Sequence, residues 1–339
     1  MNLELPSFMS HKPALSRRRW IWAVFGAALA TVLVAPAARA VLYVSSYNTD
    51  NINRYDENTG AYLSQFSAVN PAGFVIGPDG HFYVASYPGS YSVHRYNGVT
   101  GADMGAWAGF TFEAYDLVFG SDGHVYGTHL STGRFMRLDG TTGDYLATFG
   151  FDLAQPRSLV FGPDGDLFVS EISNNTVRRY DGTTFAAEGA FASGGGLSGP
   201  QGIVFGPDGN LYVASYGTSS IKRYNGTTGA YMDDFATGGG LGNPTGLLFG
   251  PDDNLYVADY TNDRIARYNG QTGAYMDIFA SGGGLDAPLY LFFSNTNPGT
   301  LQMQVPEPSV GLLFGGGLAL LALARRRTRQ REAACGGGL

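Results

Sequence analysis

Apolar runs of three to five residues recur through the middle of the chain, each closed by a polar cluster of Gly, Asn, Asp and Thr. Read from Gly202, one unit runs Ile203-Val204-Phe205, a turn at Pro207-Asp208-Gly209, then Leu211 to Ser215. After a polar loop come Ile221 to Tyr224, the turn-opening pair Asn225-Gly226, and Tyr231 to Phe235, followed by a Gly-rich linker. Runs this short, bounded by turn residues, predict four strands and no helix. Glycine after Asn is expected to supply the positive φ of the hairpin turn. The runs are continuous rather than alternating, which suits small sheets covered on both faces.

The unit repeats. Gly-Pro-Asp-Gly stands at 77–80, 162–165 and 206–209, with variants at 120–123 and 250–253. The turn aspartates Asp79, Asp122, Asp164, Asp208 and Asp252 are 43, 42, 44 and 44 residues apart, the period of a four-stranded propeller blade. Second strands start at Leu42, Phe82, Val125, Leu167, Leu211 and Leu255, and first strands at Phe74, Leu117, Leu159, Ile203 and Leu247. A sixth first strand, Leu289-Tyr290-Leu291-Phe292-Phe293, comes last. The expected fold is all-β, a six-bladed β-propeller of four-stranded blades. Its first blade is closed by the C-terminal strand, which removes the exposed sheet edges.

Repetition separates scaffold from candidate site. Arg54, Arg95, Arg137, Arg179, Arg223 and Arg267 occupy one third-strand position in every blade, so they read as structural partners of the turn aspartates. The last residue of the second strand varies instead: Ser46, Ser86, His129, Glu171, Ser215 and Asp259. His129, Glu171 and Asp259 are the candidates there for a divalent cation or a proton transfer; surface polar groups are the other reading. The residue opening the first strand forms a second ring, nearest the axis: Ala72, Tyr115, Arg157, Gln201, Thr245 and Leu289. Arg157, Gln201 and Tyr115, with Asp116 beside them, are candidate ligand contacts; a plugged channel is the alternative. Tyr47, Tyr87, Tyr216 and Tyr260 follow the second strand in four blades and suit packing, or stacking on sugar rings.

The segment Leu255-Tyr256-Val257-Ala258-Asp259-Tyr260-Thr261-Asn262-Asp263-Arg264-Ile265 resembles the NHL repeat, and the likeness extends over about 41–293. It implies a six-bladed propeller of a family whose members are mostly non-enzymatic. Six-bladed enzymes of the gluconolactonase type hold a metal at the axial ring with Asn and Asp side chains. None of the six ring residues here is either, although Asp116 is one residue away. Streptogramin-lyase-type propellers need a His and Glu pair, which only His129 with Glu171 imitates.

Composition narrows the function. With 50 Gly, 22 Phe and 21 Tyr among 339 residues and only 14% charged residues, the chain suits a turn-rich β fold. Residues 1–40 carry five basic residues and one acidic, and residues 306–339 carry five and two. The middle keeps 11 basic against 25 acidic, a net −14. So negative a domain repels phosphate backbones, which argues against nucleic acid as a partner. The single cysteine, Cys335, leaves the repeats without a disulfide.

The two ends read as addresses. Arg17-Arg18-Arg19, an apolar run from Trp20 to Ala35 and Ala38-Arg39-Ala40 have the order of a secretory signal peptide cleaved after Ala40. The arginines also approximate a twin-arginine motif, and an uncleaved anchor is the other reading. Near the C-terminus, Pro306-Glu307-Pro308, an apolar stretch over 310–324 and Arg325-Arg326-Arg327 resemble the PEP-CTERM sorting signal of Gram-negative bacteria, also known as an ice-binding-protein C-terminal domain. The resemblance implies recognition by an exosortase-type membrane protease; a plain membrane anchor is the alternative.

The expected organisation is a signal helix over 1–40, the propeller over 41–300, a linker over 301–309, a hydrophobic helix over 310–324 and a basic tail over 325–339. The expected function is that of an exported, surface- or matrix-associated binding or scaffold protein with a polysaccharide or protein ligand, no cofactor, and a secretion translocon and the sorting protease as processing partners. The alternative is a divalent-metal lactonase or lyase using His129, Glu171 and Asp259.

Overall fold

The computed structural model describes residues 40–89, 92–109 and 114–294. The signal segment up to Arg39, the Pro-Glu-Pro motif and the hydrophobic stretch after it lie outside these residues. The described chain forms six antiparallel sheets of four strands each, the expected propeller. Five of the blades are built from consecutive strands in the order seen in blade 5: Pro200–Phe205, Leu211–Ser215, Ser220–Tyr224 and Tyr231–Ala236. Blade 3 follows the same order over Ala114–Phe119, Val125–His129, Arg134–Leu138 and Tyr145–Phe149.

Blade 1 is assembled from both ends of the domain. Its inner strand is Pro288–Phe293, paired with Val41–Ser46 in the register Leu42 with Phe293, Tyr43 with Phe292 and Val44 with Leu291. Two further bonds close the seam: Val41 N donates to the Ser294 side-chain Oγ (2.8 Å) and Ser294 N to the Val41 carbonyl (2.8 Å).

Burial explains the run pattern. The second strands of blades 2 to 6 are buried at every residue, because each is sandwiched between neighbouring blades. Outer strands such as Tyr231–Ala236 alternate or are exposed, since only one side meets the core. The blade-to-blade core is aromatic: Phe168 meets Phe205, Tyr212 meets Phe249 and Tyr256 meets Phe293, all edge-to-face at 4.8–4.9 Å between centroids. The Gly-rich linkers are stitched by third-strand tyrosines. Tyr55, Tyr224 and Tyr268 donate their hydroxyls to the carbonyls of Gly282, Gly194 and Gly238 at 2.8–3.1 Å.

The repeated arginines pair with the turn aspartates in five blades, as expected. The pairs are Arg95 with Asp79, Arg137 with Asp122, Arg179 with Asp164, Arg223 with Asp208 and Arg267 with Asp252, at 2.7–4.0 Å. Blade 1 has no such turn, because its inner and second strands come from opposite ends of the chain. There Arg54 lies over the Phe66 ring, 4.9 Å from its centroid.

One expectation about turn glycines is corrected. Gly98, Gly140, Gly182, Gly226 and Gly270, which follow the Asn or Asp, are not the positive-φ residues; in the Asn225 turn that role falls to Gly229 (φ 70°). Gly226 is needed for contact instead, since a Cβ there would lie 1.8 Å from the carbonyl oxygen of Gly209. The two bottom turns of a blade press together at that point.

Candidate functional site

Inner strands start three residues earlier than the apolar runs suggest in five blades, at Pro71, Ala114, Pro156, Pro200 and Pro244, and one residue earlier in the sixth, at Pro288. Proline suits a strand's first residue, where no ladder N–H is lost. Each inner strand then carries a bulge. In blade 4, Pro156 pairs with Glu171 but Leu159 with Val169, so Arg157 and Ser158 together oppose one residue, Ser170. The same shift occurs in all six blades. It releases two residues per blade from the ladder at the axis.

The first released residue of each blade forms the predicted axial ring. Five of its members, Tyr115, Arg157, Gln201, Thr245 and Leu289, line one open cavity of about 350 Å³. Ala72 is buried in the adjoining apolar cluster with Tyr115 and Leu289. The wall above the ring is made of Tyr47, Tyr87, Tyr216 and Tyr260, each half-buried, with Ile172 in blade 4. Sequence repetition leaves these tyrosines open between packing and stacking; the structure sets all four around the mouth. Burial raises the pKa of Tyr47 and Tyr260, and pushes Tyr115 up to about 12. The Arg157 guanidinium lies 4.2 Å from the Tyr115 ring centroid.

The second released residue sits one step deeper, at Gly73, Asp116, Ser158, Gly202, Gly246 and Tyr290. Except for Gly73 they line a narrow axial void of about 50 Å³. Asp116 therefore lies below the cavity and does not share its wall with Arg157 and Gln201. Its Oδ2 accepts from Ser158 Oγ (2.8 Å) and the Leu159 N–H (3.2 Å), and its Oδ1 from the Leu117 N–H (2.8 Å). Burial pushes its pKa up to about 7 against the opposing pull of these bonds. Bulge N–H groups are satisfied from the second strand: Asp116 N donates to Thr128 Oγ1, Ser158 N to Ser170 Oγ and Tyr290 N to Ser45 Oγ, at 2.9–3.0 Å. Sequence reasoning missed Ser45, Thr128 and Ser170. The signal was available: blades with Gly at the deep position carry Ala85, Ala214 or Ala258 opposite, and the other three carry a hydroxyl.

The other candidate ring is not brought together. His129, Glu171 and Asp259 are buried, each engaged beside its own blade. Glu171 accepts from the Ala154 N–H (2.9 Å) and Thr176 Oγ1 (2.6 Å); Asp259 from the Gly242 N–H (3.0 Å) and Arg264 Nε (2.8 Å). His129 Nδ1 meets Thr132 Oγ1 at 2.7 Å. Ser46 and Ser215 receive the equivalent loop N–H groups, from Asp286 and Ser198. In blades 1, 4, 5 and 6 the position anchors the loop that feeds the inner strand. Among the described residues no three His, Cys, Asp or Glu side chains are placed to hold a metal ion. The axis offers a divalent cation one carboxylate already surrounded by donors, with a guanidinium nearby. That set does not fit the several oxygen ligands such an ion takes.

A family model described as SMP-30/Gluconolactonase/LRE-like region matches residues 30–261. No curated protein is matched by sequence. Among solved structures, one of a nidogen/laminin complex is similar at 16% identity and a TM-score of 0.60, over 76% of this chain and 99% of that one. A protein of unknown function from Bacteroides caccae is similar at 11% identity and a TM-score of 0.61, over 76% and 99%. A virginiamycin B lyase from Staphylococcus aureus is similar at 15% identity and a TM-score of 0.57, over 75% and 92%. At these identities the likeness is one of fold.

Proposed function

The chain belongs to the SMP-30/gluconolactonase/LRE-like family, and from that premise we propose that it is a non-catalytic ligand-binding propeller that takes a saccharide in the cavity at the top of its axis. One observation carries the reading: four tyrosines and the ring residues Tyr115, Arg157 and Gln201 surround a cavity of about 350 Å³. Ligand pockets span about 300–1,000 Å³ and pair apolar walls with a few placed polar groups. Tyrosine faces suit the apolar faces of sugar rings, and Gln201 and the tyrosine hydroxyls suit their hydroxyls. The test is titration calorimetry of the full chain against short oligosaccharides. Tyr216→Ala and Tyr260→Ala are expected to weaken binding about tenfold each while the melting temperature holds; unchanged affinity rejects the site.

The protein works outside the cytoplasm in this reading, exported through a translocon, cleaved after Ala40 and sorted by an exosortase-type protease at Pro306-Glu307-Pro308. The support is the order of residues at the two ends. Mass spectrometry of the cellular protein should find Val41 as its first residue.

A hydrolytic second reading has one observation in its favour. Asp116, with a pKa near 7 and a bond to Ser158, is suited to proton transfer at neutral pH. Turnover of a sugar lactone, lost in Asp116→Asn, supports it; absence of turnover leaves the binding reading.

A further inference from the structure

The cavity's charge points to a narrower ligand class, and the inference rests on the saccharide reading above. We propose that the ligand is an acidic saccharide whose ring carboxylate is received by Arg157.

Most cations of this acidic domain are held by carboxylates. The third-strand arginines of blades 2 to 6 are paired with turn aspartates. Arg178, Lys222 and Arg264 are paired with Asp152, Asp234 and Asp259. Among the described residues Arg157, like Arg54 and Arg134, has no carboxylate partner; it alone of the three lines the cavity, and its Nε is buried without an acceptor. Its guanidinium carbon lies over the Tyr115 ring, 4.2 Å from the centroid, rather than in a protein ion pair. Stacking of this kind leaves the edge of the fork open to a ligand.

Among the described residues no Asp or Glu lines the cavity to compete for that fork, and burial raises the pKa of Tyr47, Tyr115 and Tyr260. The carboxylates whose charge reaches the mouth tyrosines are Asp50, Asp263 and Asp286. Each is engaged at the rim, by Asn70 N, Ala287 N and Asn48 Nδ2. A desolvated guanidinium pairs a planar carboxylate through two parallel bonds, which neutral sugars cannot offer. The five tyrosines favour a ring-bearing ligand over an acidic peptide, and the net −14 of the domain argues against a polyanion laid across the whole face. A single carboxylate carried inward on a stacked ring, as in a uronic acid residue, satisfies all of these features.

The test titrates the full chain with trigalacturonate and with a neutral galactose trisaccharide. The acidic sugar should bind about tenfold tighter or more, the worth of one charge-assisted contact, and lose that margin in 0.5 M salt. Arg157→Gln should remove the acidic sugar's margin over the neutral one, and Arg157→Lys should keep part of it. Matched melting temperatures establish that the variants fold. Equal binding of both sugars, indifferent to Arg157→Gln, overturns the acidic preference and leaves the saccharide reading standing. Binding of neither overturns both. Tighter Arg157-dependent binding of a glutamate trimer than of trigalacturonate overturns the sugar in favour of a peptide.

Discussion

Glu171 takes a backbone N–H from the loop that feeds its own inner strand, together with the Thr176 hydroxyl. Glu171→Ala therefore strands two half-buried donors, and should cost about 1–3 kcal/mol of stability in urea unfolding. The same variant should leave calorimetric Mg²⁺ binding unchanged, because among the described residues no three His, Cys, Asp or Glu side chains are placed to hold a metal ion. Asp116 is a residue-scale test of a different kind. Burial pushes its carboxyl up to about 7 from the ordinary carboxylate range, so the fold holds its proton where the unfolded chain has lost it. Its contribution to stability is full below about pH 4 and declines as pH rises towards about 7. Asp116→Asn should flatten that decline, read from urea midpoints at about pH 4.5 and pH 7.5. Residues like these were half legible in the sequence. The axial ring follows from repeat alignment alone, because every blade contributes the same strand position to the axis. That Asp116 lies below the cavity does not follow, since the bulge places neighbouring residues at two depths.

At the scale of strands and turns, two glycines of blade 5 have separate duties with separate penalties. Gly226 lies against the Gly209 carbonyl, so Gly226→Ala forces the two bottom turns apart and should cost about 1–3 kcal/mol. Gly209 has open space around it but a φ of 75°, so Gly209→Ala should cost only the left-handed strain, about 1–2 kcal/mol. Thermal melts of the pair, with the double variant, check whether the sites are coupled through their shared contact. Strand positions were legible because blades bury continuous apolar runs. The early start of each inner strand was hidden, because residues such as Pro200, Gln201 and Gly202 lack the apolar signature of Ile203 onwards. Tertiary contact with the ring builds that segment.

Across the whole molecule, closure depends on one strand. The inner strand of blade 1, Pro288–Phe293, supplies Phe293 against Tyr256 of blade 6 and Phe292 to the cluster under blade 2. Truncation after Ala287 removes those contacts and leaves Val41–Ser46 as an unpaired edge, so the shortened domain should lose its cooperative melt and elute as aggregates in size-exclusion chromatography. Blade number and closure were the most legible features of all, because a chain that starts with a second strand and finishes with a first strand has one economical way to complete a ring.

The seam also fixes an orientation. Val41 begins an upward strand and Phe293 ends a downward one, so both leave from the side of the disc away from the tyrosines. Anything fused beyond Ser294, whether a lipid-bound stalk or a solid support, becomes a pedestal, and the bowl above it points at the surroundings. A bead coupled through that end should capture its sugar undiminished, whereas coupling through the loop at Gly217 should shade the opening.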